Sequence, residues 1–198
     1  MSIRHPDWLA ELQGLVALAL TVQAGAVVFH IVTFASGGPV VAQVPVEAVT
    51  GVAGASGGLR AGAVVDGEVD VLVADPTPGQ AAMYLLTTLP TLTLVAAVLA
   101  LLWAALRRAR RADPFTDGTV RRLRLIGWVA IVGGILTQAA QTVASLGLTA
   151  RVTTDGGWSA TLNLTRIVLF LLVGFGFLAI AEILKRGSAM RTELETVI

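Results

Sequence analysis

Four long apolar stretches, separated by polar and charged ones, dominate the hydropathy pattern of the chain. They predict helices over residues 8–35, 81–106, 118–148 and 162–186. About 20 apolar residues in a helix are enough to cross the hydrocarbon core of a bilayer. The first stretch is too long for a signal peptide, and no small-residue cleavage site follows a short hydrophobic core. The pattern therefore predicts an all-α integral membrane protein, with four transmembrane helices in a single membrane domain over residues 1–198.

The segment between the first two predicted helices, residues 36–80, is too long for a plain connection. VVAQVPVE alternates weakly between apolar and polar positions, and EVDVLV alternates clearly, which places the three valines of the latter on one face. Asp66-Gly67 lies just before EVDVLV and is typical of a two-residue hairpin turn, because both positions accept positive φ. We predict a small extracytoplasmic β-hairpin element of two or three strands, resting on the outer ends of the helices. The glycine-rich GVAGASGGLRAG precedes no predicted helix, so we interpret it as a flexible link rather than a phosphate-binding loop.

Composition agrees with a membrane protein and excludes thiol chemistry. The chain is 55% hydrophobic and only 14% charged, with a mean hydropathy of +0.79, which does not fit a soluble domain. It contains no cysteine, so neither a disulfide nor a thiolate metal site is possible. No Ser-His-Asp set, metal-ligand cluster or nucleotide fingerprint is present in the pattern. We therefore expect a protein that is not an enzyme and that has no cofactor and no metal.

Basic residues are concentrated in residues 107–124, RRARRADPFTDGTVRRLR, which we call the basic segment. It holds half of the fourteen Lys and Arg residues, namely Arg107, Arg108, Arg110, Arg111, Arg121, Arg122 and Arg124. Arg4 and the C-terminal residues 185–191 are also basic, whereas residues 36–80 are acidic. By the positive-inside rule, both termini and the basic segment are predicted to be cytoplasmic in a multi-pass protein.

The basic segment also carries signals for the ends of two helices. Pro114 disfavours helical geometry at the residue before it, so the second helix is predicted to end before it. Thr116 is a candidate N-cap for the third helix, with Asp117 in a first turn that favours negative charge. Two interpretations of the arginines remain open. They set the orientation and bind anionic membrane lipid, or they form a docking surface for a cytoplasmic partner; we expect no direct binding of nucleic acid.

Two segments, ADPFTDGTVRRLRLIGW and LAIAEILKRGSAMRTELETVI, resemble the signatures of a bacterial membrane family known as domain of unknown function 2975 (DUF2975). The first is similar to its G/D-x-PF element followed by RLR-x-IG, and the second to its helix end A-E-I/V-x-R/K-G with a short charged tail. The matching positions are Asp113, Pro114, Phe115, Arg122, Leu123, Arg124, Ile126, Gly127, Ala181, Glu182, Lys185, Gly187, Thr196 and Ile198. Met190 and Thr192 depart from a tail that is often more acidic. The resemblance implies a bacterial plasma (inner) membrane protein without an established activity, and a regulatory link to small helix-turn-helix proteins encoded beside such members.

Polar residues inside the predicted helices are further candidates for function, because ionisable groups are costly in lipid. They are Gln23, His30, Gln138, Gln141 and Arg166. We interpret His30 as a hydrogen-bonded interfacial residue rather than a haem ligand, a proton relay or a quinone contact. The other histidine, His5, is expected on the opposite side of the membrane. Arg166 is expected to reach the surface or to pair with Asp70 or Asp155.

The second and third predicted helices each carry a group of uncharged polar residues. Gln138, Gln141 and Ser145 share one face of the third helix, and four threonines, Thr87, Thr88, Thr91 and Thr93, surround Pro90 in the second. We interpret these side chains as groups that hydrogen bond helices together or satisfy carbonyl groups freed by the proline. A polar pocket or a permeation path is the alternative.

The fourth predicted helix contains two glycines and one acidic residue of interest. Gly174 and Gly176 permit close approach of a neighbouring helix, but their spacing is not the full small-xxx-small pattern and predicts no dimer. Glu182 precedes Lys185 and Arg186 by three and four residues, so we expect an ion pair on one helix face.

These observations favour a non-enzymatic, regulatory or sensory membrane protein. The basic segment and the C-terminal tail would form one cytoplasmic surface for a partner or for anionic lipid. A small-molecule transporter or channel subunit that uses the threonine and glutamine faces is one alternative. An accessory subunit of a larger membrane complex is another.

Overall fold

Four long helices and one two-stranded sheet make up the described part of the chain. The computed structural model describes residues 8–45, 68–110, 117–153 and 163–197. In chain order the elements are α1 (Trp8–Ala35), β1 (Val40–Pro45), β2 (Glu68–Val73), α2 (Pro78–Ala109), α3 (Asp117–Val152) and α4 (Leu164–Val197). All four helices are long and apolar enough to cross a membrane. The predicted helical membrane architecture with a small sheet is therefore confirmed.

Helix α2 begins three residues before the predicted start, because a capping box fixes its first turn. The backbone N–H of Thr77 donates to Oε1 of Gln80 at 2.9 Å, and the N–H of Gln80 donates to the Thr77 hydroxyl at 3.4 Å. Pro78 occupies the first helical position, where its missing donor costs nothing. Helix α2 then runs to Ala109, so the first arginines of the basic segment are helical rather than part of a loop.

Helices α3 and α4 also extend beyond their predicted ends. Helix α3 ends at Val152 rather than 148, and α4 continues to Val197 rather than 186. The start of α4 is capped by Asn163, whose Oδ1 accepts the backbone N–H of Arg166 at 3.0 Å. Helix α2 ends at Ala109 and α3 begins at Asp117, so residues 107–109 and 117–124 of the basic segment are helical.

Apolar side chains on the outside of the helices indicate a lipid environment. Only 6% of the most apolar window of α1 and of α2 is buried, against 33% for α3 and 11% for α4. Phe29, Val143 and Leu172 are each about two-thirds exposed or more, at 67%, 69% and 70%. Such surfaces are unfavourable in water but ordinary against acyl chains. The fold is that of a multi-pass membrane protein.

The chain divides into two compact units, which we describe separately. Unit 1 comprises Met1–Val28, Thr91–Gln138 and Asn163–Ile198. In it, Arg110 donates to Oε1 of Gln13 at 2.9 Å, and Gln23 donates to the carbonyl of Leu92 at 2.9 Å. Gln23 follows Gln13 along α1, whereas its partner Leu92 precedes Arg110 along α2. The α1 and α2 segments of this unit are therefore antiparallel.

Unit 2 comprises Phe29–Pro90 and Ala139–Leu162, and its core forms around the sheet. Strands β1 and β2 pair antiparallel, with Val40 opposite Val73 and Ala42 opposite Val71. Val40, Ala42 and Val44 are buried with Leu148 of α3, and Val71 packs against this cluster. The face that carries the valines of EVDVLV thus points into the core, as the alternation predicts. The predicted turn at residues 66–67 and the glycine-rich link at residues 51–62 lie outside the described residues.

The connection from α1 to β1 is a tight helix C-cap. The N–H of Gly38 donates to the carbonyl of Thr33 at 3.0 Å, and the N–H of Gly37 donates to the carbonyl of Phe34 at 3.1 Å. These two bonds form a Schellman motif, which needs a left-handed residue after the helix. Gly37 supplies it with φ of 68°. The turn directs the chain into β1.

Candidate functional site

The two signature segments of the sequence meet in unit 1, where α3 packs against α4. Nη2 of Arg124 lies 3.0 Å from Oε2 of Glu182, and Nε of Arg186 lies 3.2 Å from Oε1 of the same carboxylate. Each carboxylate oxygen therefore holds one arginine. The intrahelical pair of Glu182 with Arg186 is the one that the sequence predicts, and the bond from Arg124 across to α4 is an addition. We call Arg124, Gly127, Gly174, Glu182 and Arg186 the α3–α4 junction.

Two glycines of this junction bring the helix backbones together. A Cβ built on Gly127 would lie 2.8 Å from the carbonyl oxygen of Gly174, and one on Gly174 would lie 2.8 Å from that of Gly127. The Gly174 Cβ would also meet the side chain of Ile131. A Cβ at Gly176 would meet no atom of the described structure within 4 Å. Close approach is thus a property of Gly174 and not of Gly176, although the sequence suggests it for both.

The contacts continue along both helices in antiparallel order. A Cβ at Gly134 would lie 2.5 Å from Cβ of Phe170. Gly134 comes ten residues after Arg124 along α3, and Phe170 comes twelve residues before Glu182 along α4. Next to the ion pair, Ile126 and Ala181 are almost completely buried, at 1% and 0% exposure. The ion pair itself is less than half exposed on either side, at 43% and 44%. The junction therefore has a buried apolar part and a partly exposed charged end.

The remaining arginines of the basic segment are placed differently from Arg124. Arg107 lies over the ring of Trp103, with its guanidinium carbon 5.3 Å from the centroid, which favours an ordered side chain. Arg108 and Arg121 are exposed and have no bonding partner among the described residues. Arg122 is half-buried. We call Arg107, Arg108, Arg110, Arg121 and Arg122 the basic surface.

Arg111, Asp113, Pro114, Phe115 and the proposed cap at Thr116 lie outside the described residues, as do His5 and Ile198. Asp117 is the first residue of α3. Gly187 is half-buried within α4.

The glutamines inside the helices bond to backbone carbonyl groups on α2. Gln141 is buried in unit 2 and its amide donates to the carbonyl of Thr87, three residues before Pro90. A proline disturbs the hydrogen-bond ladder of the preceding turn, so carbonyl groups there need another donor. In unit 1 Gln23 donates to the carbonyl of Leu92, two residues after the proline, and Gln138 is buried. Within the described residues, these bonds are of the kind expected for helix packing.

The two ionisable candidates near the ends of helices, His30 and Arg166, differ in burial. His30 is half-buried in unit 2, and its ring makes an edge-to-face contact with the ring of Phe29, with centroids 5.9 Å apart. The side chain of Arg166 is exposed. Asp155 lies outside the described residues, and Asp70 belongs to unit 2 whereas Arg166 belongs to unit 1, so the pairing of Arg166 stays a prediction. In the part of the chain that the structure describes, no group of three or more His, Asp and Glu residues could hold a metal ion.

Comparison with known proteins identifies one family. A family model described as "Protein of unknown function (DUF2975)" matches residues 43–198. This match confirms the resemblance inferred from the two signature segments, and it includes both sides of the α3–α4 junction. No curated protein and no solved structure matches the chain.

Proposed function

The chain belongs to the DUF2975 family, and we propose that it is a non-enzymatic regulatory protein of a bacterial plasma membrane, with both termini cytoplasmic. In this proposal the basic surface binds the phosphate headgroups of anionic phospholipids at the cytoplasmic face. The α3–α4 junction holds that surface in place.

The observation that carries the proposal is the different placement of the arginines. Arg124 is engaged with Glu182, whose second oxygen is taken by Arg186. Arg108 and Arg121 are exposed at the ends of long apolar helices, where headgroups would lie. Arg107 stacks on Trp103, and tryptophan is typical of the interfacial belt of membrane proteins. Anionic lipid fits this combination better than a protein partner does, because the cations are spread over the ends of two apolar helices.

The polar residues within the helices support a packing role rather than a transport path. Both Gln23 and Gln141 use their amide donors on backbone carbonyl groups of α2. Side chains held in this way are less suited to line a water-filled path, so we place transport second.

Lipid binding can be measured by native mass spectrometry of the full chain in detergent. Dioctanoyl phosphatidylglycerol is the anionic probe, and dioctanoyl phosphatidylcholine is the zwitterionic one. Each basic residue near the surface contributes about 1 kcal/mol of attraction to anionic lipid. The variant R108E/R121E should therefore lose about 2 kcal/mol or more, which is about 30-fold in affinity for phosphatidylglycerol. The control R151E/R166E reverses two exposed arginines outside the basic segment and should bind like the unchanged protein.

Equal retention of the two lipids, or equal effects of the two double variants, would refute the lipid proposal. A cytoplasmic protein that co-purifies in stoichiometric amount and is lost in R108E/R121E would instead favour the docking alternative.

The orientation has its own test, because a chain without cysteine accepts a single thiol as a unique label. Ala74 lies between β2 and α2, and Met190 lies near the end of α4; both are exposed. A membrane-impermeant maleimide should label A74C in intact cells and M190C only after permeabilisation. Labelling of M190C in intact cells would overturn the proposed orientation.

A further inference from the structure

Unit 2 contains a cavity of about 230 Å³ that the proposed function does not use. It lies among the end of α1, the turn into β1 and the beginning of α2. Its walls are largely apolar and include Phe34, Val40 and Ala81. No Lys, Arg, Asp or Glu is among the described residues that line it. Because burial of an unpaired ion is costly, such walls favour an uncharged ligand.

Two capped helix ends make this cavity a preformed one. Gly37 and Gly38, whose N–H groups close the Schellman motif at the end of α1, line it. Pro78, the first residue of α2 inside the capping box, lines it as well. Tight turns with prolines have little conformational freedom to lose, so the ordering cost of binding a ligand is small.

His30 and Tyr84 are the lining residues with hydrogen-bonding capacity to spare. The hydroxyl of Thr33 already donates to the carbonyl of Phe29 at 2.9 Å. The side chains of His30 and Tyr84 have no hydrogen-bond partner among the described residues. In the described part of the chain, every fully buried polar side-chain atom has a hydrogen-bond partner. The polar side-chain atoms of His30 and Tyr84 have none among the described residues, so they are not fully buried. An imidazole and a phenol can each donate to, or accept from, a ligand oxygen.

We propose that this cavity binds a small uncharged amphiphile, with an apolar ring system or short chain and one hydroxyl or carbonyl oxygen that hydrogen bonds to His30 and Tyr84. The volume lies below the usual range of drug-sized pockets, so the ligand is small. The inference is independent of the basic surface, which lies in unit 1.

The probes for a test are 1-naphthol and naphthalene, which differ by one hydroxyl. The full chain is reconstituted in nanodiscs, and its Tm is measured by scanning calorimetry with and without each probe. At ten times its Kd, 1-naphthol should raise the Tm by about 3–5 °C. Naphthalene should give a clearly smaller shift, because it leaves His30 and Tyr84 without a partner.

Three variants test whether the Tm shift with 1-naphthol arises from binding in this cavity. Y84F removes one oxygen and should reduce the shift with 1-naphthol toward that with naphthalene. A81L fills the cavity and should abolish the shift. A82L is the control, since Ala82 is exposed and does not line the cavity. Both probes partition into the same lipid in every sample, so comparison among variants removes that contribution.

The proposal is overturned if the two probes shift the unchanged protein equally, or if A81L and A82L respond alike. Should A81L fail to fold, Y84F decides, because its shape is that of the unchanged protein. A response of Y84F equal to that of the unchanged protein then rejects the site.

Discussion

Substitution of Gly174 by Ala, matched with Gly176 to Ala, tests whether α3 and α4 meet as closely as the structure shows. The two glycines lie two residues apart in α4, and both changes add one methyl group to the same helix. At Gly174 the new Cβ would lie 2.8 Å from the carbonyl oxygen of Gly127 and would also meet Ile131. Real Cβ atoms essentially never come that close, and a backbone oxygen cannot turn aside as a side chain can. At Gly176 the new Cβ would meet no described atom within 4 Å.

The expected difference in free energy of unfolding between the two variants follows from two opposing contributions. Replacing Gly by Ala inside a helix stabilises it by about 0.5–1 kcal/mol, and this gain is shared by both variants. Overpacking of a close contact costs about 1–3 kcal/mol, and it applies only at Gly174. The difference in free energy of unfolding between G174A and G176A should therefore be about 1–3 kcal/mol, with G174A the less stable.

Reversible unfolding in mixed micelles, with increasing SDS and followed by tryptophan fluorescence, measures this difference. G127A offers a reciprocal check, since its Cβ would lie 2.8 Å from the carbonyl oxygen of Gly174. Equal stability of G174A and G176A, or a more stable G174A, would refute the close approach. It would also remove the reason why Arg124 reaches Glu182.

The same unfolding assay tests three other features. Q141L leaves the carbonyl of Thr87 without its donor and should cost about 0.6 kcal/mol and at most about 1.7 kcal/mol, the average and the maximum for hydrogen bonds between membrane helices; no loss would mean that the bond contributes nothing. G37A forces a left-handed residue to carry a Cβ and should cost about 1–2 kcal/mol, whereas G25A, which meets no atom within 4 Å in α1, should be neutral or stabilising. T77V removes the cap of α2 and should cost about 0.5–2 kcal/mol; an unchanged stability would show that the capping box is dispensable.

The helices could be predicted because lipid imposes a simple requirement. A segment that crosses a bilayer must be apolar for about 20 residues and must satisfy its own backbone, which only a helix does within one segment. The ends of the helices are harder to predict. The apolar pattern stops where the lipid ends, whereas a helix can continue beyond it. Thr77, Pro78 and Gln80 carry a local capping signal that is independent of hydropathy, and α2 begins there. Helix α4 continues to Val197 through charged residues that no apolar pattern marks.

The α3–α4 junction could be predicted only in part. The residues of both signature segments follow from the resemblance to the family, and the pair of Glu182 with Arg186 follows from their spacing. Which arginine of α3 would reach Glu182 depends on the rotation of that helix, and Arg121, Arg122 and Arg124 are equivalent in composition. The rotation is set by the contact of Gly127 with α4, which exists only after packing. A stripe of Arg124, Gly127, Ile131 and Gly134 at three- and four-residue spacing was the available signal.

The register of the small sheet has a practical consequence for engineering. Pro45 lies opposite Glu68, so the chain leaves β1 and re-enters β2 at adjacent positions. Adding unstructured residues to a connection whose ends are already joined costs only about 0.6 kcal/mol for each doubling of its length. Residues 46–67 are therefore a suitable insertion site for an epitope tag or a fluorescent reporter. Relatives should also differ most in length in this part of the chain.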